Sequence, residues 1–404
     1  MKKNRLLKQY FLLALISIGL FAGWGNQIQA QEKAYPQDTL EERSDFEQAL
    51  MAPDLERKGQ AYYEAKFTSR ISAGDQKPVN DQGLKAGVTL VVTNTNDSGE
   101  GSLRWAIQQA NATPDLDIIE FNIPGSGPHY IQPLDRLGYI NNPIIIDGAT
   151  QPGWTAGAPV IVLDGSLTPD GQEGFRLYDN ANGSEIRGLV IGGFDRPIPQ
   201  GQPQAGYNGF AIVIETDNNI IQGNFLGIAP DGITPFSNMR GVQIMNSSNN
   251  LVGGITAAER NIISGNLAIG VAVFGNEVRP GPNSLNNIIS GNYFGTDVTG
   301  TVGVGNNVNI QVSEGALNTL VGGTLASQRN IISGATGSSG RGIVIASSPT
   351  QNTQIKGNFI GTDVTGTAAI PNAYQGINLL QGANQTIIGG TETGAQNIIS
   401  GNGS

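Results

Sequence analysis

The amino-acid sequence predicts an all-β chain wound into a parallel β-helix, and three observations carry that prediction. One phrase recurs: "NIISGNYFGTDVTGT" at 287–301 returns as "QIKGNFIGTDVTGT" at 354–367, and "NIISGN" stands again at 261–266 and 397–402. Apolar runs of strand length ("GFAIVI", "GVQIM", "GVAVF", "VNIQV", "GIVIA", "GINLL") open the successive repeats, and none has a helical period. Glycine supplies 57 of 404 residues while proline supplies 20, a balance that calls for many tight turns.

Short parallel strands need crossover connections, and here the connections are themselves strands. A coil stacked on itself meets that requirement. One coil cannot bury its own apolar face, so each rung must be stabilised by its neighbours, about 4.8 Å away along the axis. Aligned on its closing asparagine, the phrase gives a column Asn224, Asn266, Asn292, Ala335, Asn358 and Asn402, with alternating long and short spacings. The expected unit is therefore a long turn plus a short one, roughly seven coils making a rod section of about 35 Å. Glycine followed by asparagine suits a left-handed bend, and the stacked amides are expected to form a ladder that Ala335 interrupts. Val242, Val271, Val308, Ile343 and Ile377 are expected to share one interior file.

Along the chain, residues 1–30 read as a signal peptide. Lys2, Lys3, Arg5 and Lys8 precede the apolar "FLLALISIGLFAG", and Ile28-Gln29-Ala30 offers a cleavage site. Residues 31–86 are charge-dense and read as a partly helical or disordered leader and linker. Residues 87–173 hold a cap and the first strands. Val88–Val92 reads as a strand, "NDSGEGS" as a turn, and Ser102 as the N-cap of a helix whose Leu103, Ala106, Ile107 and Ala110 share one face. "DIIEFNIP", "NPIIIDG" and "PVIVLDG" follow as strands. Residues 174–404 are the β-helix repeats, with a C-terminal end expected to be uncapped or truncated.

The formal net charge is −10, there is no cysteine, and His129 is the sole histidine. Disulfides, thiolate sites and multi-histidine metal centres are thereby excluded, and an acidic chain disfavours nucleic acid and anionic membranes as partners. No membrane insertion is expected once the signal is removed.

"VTNTNDSGEGSLRWAIQQANATPDLDIIEFNI", "IDGATQPG" and the "GNFIGTDVTGT" units together resemble secreted bacterial right-handed β-helix proteins of the pectin-lyase-like fold. The resemblance covers roughly residues 87–404. It implies a right-handed coil, a surface or adhesin-like setting, and a top closed by Leu103, Ala106, Ile107 and Ala110. That fold hosts lyases, hydrolases, tailspikes and adhesins, so the resemblance transfers no catalytic residue.

Enzymes of this kind that act on polyuronates bind sugar along an outer strand face, using carboxylates that hold Ca²⁺ or that straddle the glycosidic bond. The expected outward positions of the opening strands run from Ala211 and Val213 through Gln243, Met245, Ala272, Phe274, Asn309, Gln311, Val344, Ala346 and Asn378 to Leu380, and none is charged. The equivalent "IISGN" column reads Gln222, Ser264, Ser290, Ser333, Lys356 and Ser400. Loops remain. Asp297 and Asp363 hold the same place in "GTDVTGT", where an earlier repeat has Ala229 and an aspartate two residues on, Asp231. These three read first as turn caps and second as Ca²⁺ or glycan contacts. Arg260 and Arg329 precede "NIIS" in matching places while the third copy has Gln396. Asp115 with Asp117, and Asp135 with Asp147 and Asp164, could converge on a metal but read more simply as turn residues. Tyr207 and Phe274, beside the longer loops 195–207 and 276–285, could stack on a sugar ring.

The expected function is binding or adhesion to a glycan or a cell surface, without catalysis and with no cofactor beyond possible Ca²⁺. The alternatives are a polysaccharide lyase or glycoside hydrolase acting on acidic polysaccharide, and a spike that self-associates. End-to-end association is expected if the last rung is open.

Overall fold

Three parallel sheets, of ten, nine and seven strands, make up the fold of the described residues. The structure is a computed structural model and describes residues 85–196, 209–275 and 283–403. The expected signal peptide, almost all of the leader, Tyr207 and most of the two long loops lie outside the described residues. The first sheet begins with Ala86–Val92 and Leu116–Phe121 and ends with Gln354–Lys356 and Ile387–Ile388. The second runs from His129–Ile131 to Ile398–Ile399, and the third from Phe175–Leu177 to Ile377–Leu379. From residue 185 onward the chain visits the sheets in turn, and every named strand pair is parallel. This is a parallel β-helix, with the all-β architecture expected from the repeats.

The inward files are aliphatic. Ile146, Ile186, Ile221, Val252, Ile289, Val321 and Ile355 line the first sheet, and none is exposed. In the third sheet the file is Phe175, Ile212, Val242, Val271, Ile310, Ile343 and Ile377. Ile310, not Val308, occupies that file; Val308 pairs with Ile269 and Arg341 on the outer side. The slip comes from Asn309, which stands where the neighbouring repeats carry Gly241, Gly270, Gly342 and Gly376. At this position the strand turns its side chain inward: a Cβ on Gly241 would lie 2.9 Å from Cγ2 of Ile263. Ala211 and Asn309 are accordingly buried, not outward.

The asparagine column also divides. Asn224, Asn292 and Asn358 sit at the corner between the first and second sheets, whereas Asn266 and Asn402 sit at the corner after the second. The first corner carries a continuous ladder, Asn224, Asn261, Asn292, Asn330, Asn358 and Asn397, each amide donating to the next Oδ1 at 2.9–3.2 Å. Its members lie 28 to 39 residues apart, in the order 37, 31, 38, 28 and 39, so long and short coils do alternate, by less than the mixed column suggested. Reading two corners as one exaggerated the alternation without creating it. The second corner has its own ladder through Asn238, Asn266 and Asn306, and then Asn372 and Asn402. Where Ala335 leaves a gap, the inward Asn309 bridges Asn306 and Asn372.

A third inner ladder, Asn219, Asn250 and Asn287, precedes the first sheet. It gives way to Thr319 and Thr353, both fully buried, whose hydroxyls have no partner. Beside it Asn249, Asn286, Asn318 and Asn352 adopt left-handed backbone and link outer amides at 3.1–3.4 Å. The dipeptides "NN" and "NT" before these strands thus place one side chain outside and the next inside.

At the top, helix Leu103–Ala110 starts at Ser102, whose hydroxyl accepts from the Trp105 N–H. Leu103, Ala106, Ile107 and Ala110 are all buried against the first strands. At the other end the last strand of each sheet leaves Leu379, Ile387, Ile388, Ile398 and Ile399 exposed. No helix among the described residues is long and apolar enough to cross a membrane.

Two substitutions test the ladders in opposite directions. Asn292→Ala strands buried partners on both neighbouring rungs and should cost about 3 kcal/mol. Thr319→Val removes an unpartnered buried hydroxyl at constant shape and should add about 1 kcal/mol. Urea unfolding midpoints for the two variants provide the comparison.

Candidate functional site

The outer side of the third sheet is chemically uneven. Its central outward file reads Arg176, Val213, Gln243, Ala272, Gln311, Val344 and Asn378. Toward the C-terminal end this face is bland: Ala272, Val308, Val344 and Ala346 form a small buried apolar patch with Ile269. Toward the cap it is charged and aromatic. The segment around Ile140 pairs with Leu177 and so extends the sheet beyond its first strand. That extension sets Tyr139 beside Arg176 and Tyr178.

Four ionic side chains and two rings meet there. Glu173 is almost fully buried and accepts from both Arg136 and Arg176, at 3.3 and 2.9 Å. Arg176 also reaches Glu215 on the next rung at 2.9 Å. Burial opposes the Arg176 charge, but the two glutamates outweigh it and raise its pKa above the ordinary value. The Tyr139 and Tyr178 rings lie 5.4 Å apart, tilted by 50°, with both side chains substantially exposed. The guanidiniums of Arg136 and Arg176 stand 4.9 and 5.5 Å from the Tyr139 centroid, and Arg136 donates to the Tyr139 hydroxyl. The two arginines pack against the Tyr139 ring, which in turn meets Tyr178, and both tyrosines keep exposed surface. That arrangement suits stacking against the apolar face of a sugar ring.

Further along, Arg240 lies between Phe210 and Phe274, 5.6 and 5.3 Å from their centroids, and donates to Gln243. Phe274 thus packs a guanidinium on one side. Burial pushes the Glu314 carboxyl up, against the opposing pull of Arg240.

The sequence reading missed the tyrosine cluster because its outward file began at residue 211, one rung too late. The "FRLY" of 175–178 supplies the alternation that would have found it. The supposed "IISGN" column was likewise a mixture. Gln222, Ser290 and Lys356 belong to the first sheet, while Ser264, Ser333 and Ser400 follow strands of the second. The true first-sheet file is Glu120, Asp147, Arg187, Gln222, Gly253, Ser290, Gly322 and Lys356, and it is ionic at its cap end.

Asp231, Asp297 and Asp363 lie on three hairpins that project from alternate rungs and stack directly, Val298 N–H to Gly232 O and Val364 N–H to Gly300 O. Asp297 Oδ1 accepts from the N–H groups of Thr301 and Val302, and Oδ2 from the Thr299 hydroxyl. Asp363 repeats this with Thr365, Thr367 and Ala368. Asp231 starts two positions later yet accepts from Ile233 and Thr234, the same two places in its hairpin. Burial works against the Asp297 charge, but Thr299 and the backbone donors overcome it, and its pKa falls below the usual range. The Thr234 hydroxyl lowers Asp231 and the Thr365 hydroxyl lowers Asp363.

The remaining candidates do not converge. Arg260 covers the Tyr293 ring at 4.2 Å, and Arg329 covers Phe359 at 4.0 Å while donating to the Gly357 carbonyl. Asp117 caps Val88 and accepts from Thr113, Asp135 bonds its neighbour Arg136, and Asp147 and Asp164 cap Ala149 and Ser166. Among the described residues no three acidic or histidine side chains gather as metal ligands. His129 meets Gln151, 3.2 Å away. Tyr207 lies outside the described residues.

Asp297→Asn weakens a turn cap and should cost about 1 kcal/mol at neutral pH, since solvent screens part of the charge. Because the folded-state pKa is lowered, the stabilisation is complete above the unfolded value of about 3.9 and disappears as pH falls through the folded one. Thermal melts should therefore separate the variant from wild type at pH 7 and bring them together in strong acid.

No protein-family model matches the chain, and no curated protein matches it. Among solved structures it is similar to the A-module of the mannuronan C-5 epimerase AlgE6 of Azotobacter vinelandii, at 14% identity and a TM-score of 0.32, over 78% of this chain and 99% of that one. It is also similar to the Dettilon tailspike protein gp208, at 13% identity and a TM-score of 0.33, over 78% of this chain and 66% of that one. The assignment to the parallel β-helix fold rests on the three sheets of the chain itself.

Proposed function

We propose that this chain is an extracellular or cell-surface β-helix module that binds a glycan through the cap-end face of its third sheet, without transforming it. The observation that carries this reading is the Tyr139–Tyr178 pair, exposed and fixed in place by Arg136, Arg176, Glu173 and Glu215. The signal-like N-terminal sequence supports export. A non-catalytic role is supported by the carboxylates themselves: Glu173 and Glu215 both engage arginine, the arrangement of a rigid platform rather than of an acid and a base facing a scissile bond.

The second reading, a polysaccharide lyase or hydrolase, is favoured by Glu314. Burial raises its carboxyl toward the range of a general acid, one rung from Phe274 and within the field of Arg240.

A glycan array with the full chain separates wild type from Tyr139→Ala and Tyr178→Ala. Each variant should lose about tenfold in affinity, the usual scale for one stacked aromatic. Unchanged binding in both would remove the platform from the site. Incubation with polyuronates and neutral glycans, with and without Ca²⁺, should release neither unsaturated products nor reducing ends. Turnover that is abolished by Glu314→Gln would establish the enzymatic reading instead.

A further inference from the structure

The first sheet carries a second polar patch, on a different face from the tyrosine pair. Asp147, Arg187 and Gln222 occupy one outward file on three successive rungs, with Glu185 beside Arg187. Arg187 forks between two carboxylates, Nη2 to Asp147 and Nη1 to Glu185 at 3.1 Å. Gln222 donates its amide to the same Glu185 oxygen. Trp154 comes close to Gly188, the residue that follows the strand: a Cβ there would stand 3.2 Å from its Nε1.

Three polar atoms of this patch lack a partner: Nε of Arg187, Nε1 of Trp154 and Oε1 of Gln222. Gln222 is only 5% exposed. A buried polar atom left unpaired is costly, and three in one patch point to a group that completes them. Two are N–H donors and one is a carbonyl acceptor. An alcohol hydroxyl accepts from N–H groups and donates to an oxygen, so it matches the set. Two carboxylates against one guanidinium leave the patch net negative, which disfavours an anionic ligand. An indole at its edge favours a pyranose ring.

We infer that Trp154, Arg187 and Gln222 form a second carbohydrate subsite, specific for the hydroxyls of a neutral saccharide. The inference rests on the glycan-binding reading above but uses none of its residues. It is tested on the full chain carrying Trp24→Phe and Trp105→Phe, by titrating cello-, malto- and manno-oligosaccharides and following the fluorescence of Trp154. At least one series should give a saturable change. Gln222→Leu should weaken it about tenfold with the melting temperature retained, while Tyr139→Ala and Tyr178→Ala should leave it in place. A response to no neutral sugar, or one that survives Gln222→Leu, overturns the subsite whatever the array shows for the tyrosine face. So does a crystal structure in which ordered water alone fills the patch at saturating sugar.

Discussion

Every rung of this molecule depends on buried amides finding partners one rung away. A corner that turns sharply leaves backbone N–H and C=O groups pointing inward, where water cannot reach them. Asn292 shows the solution in full: its Nδ2 donates to the Val252 carbonyl of the preceding rung and to Asn330 of the next, while its Oδ1 accepts from Asn261. The bond therefore runs both along the axis and into the corner. Aliphatic files hold the rungs together without direction, and the amide columns fix their rotational register. Removing either leaves the other underdetermined.

That division explains which parts of the architecture were legible in the residues. Parallel sheets, the Ser102 cap and the buried face of the cap helix follow from local pattern alone. The corner to which each asparagine belongs did not, because glycine and asparagine solve the same bending problem at two corners, and the sequence offers no mark that distinguishes them. Asn309 compounded the error. It takes a glycine position in the third sheet while supplying the amide that Ala335 lacks in the neighbouring column, a substitution intelligible only when both rungs are in view.

The candidate site was less legible than the fold for the same reason. Arg176, Glu173, Glu215 and Arg136 are separated by as many as 79 positions in the chain, and their ion pairs arise from pairing between rungs. Tyr139 joins them through a single bridge, Ile140 to Leu177, outside any regular strand. By contrast, the aspartates of the hairpins were visible at once, because a carboxylate that accepts from N–H groups four and five residues on is a local arrangement.

The hairpins also show how loosely such a fold binds its own spelling. Asp231 enters its loop two positions after Asp297 enters the equivalent one, yet both meet the same pair of backbone donors. The text "GTDVTGT" is one phrasing of an instruction that "GIAPDGIT" gives equally well. A search for kindred chains that demanded the literal words would pass over molecules with identical wiring. One that asked where an acidic group can reach two amides across a six-residue bend would recover them.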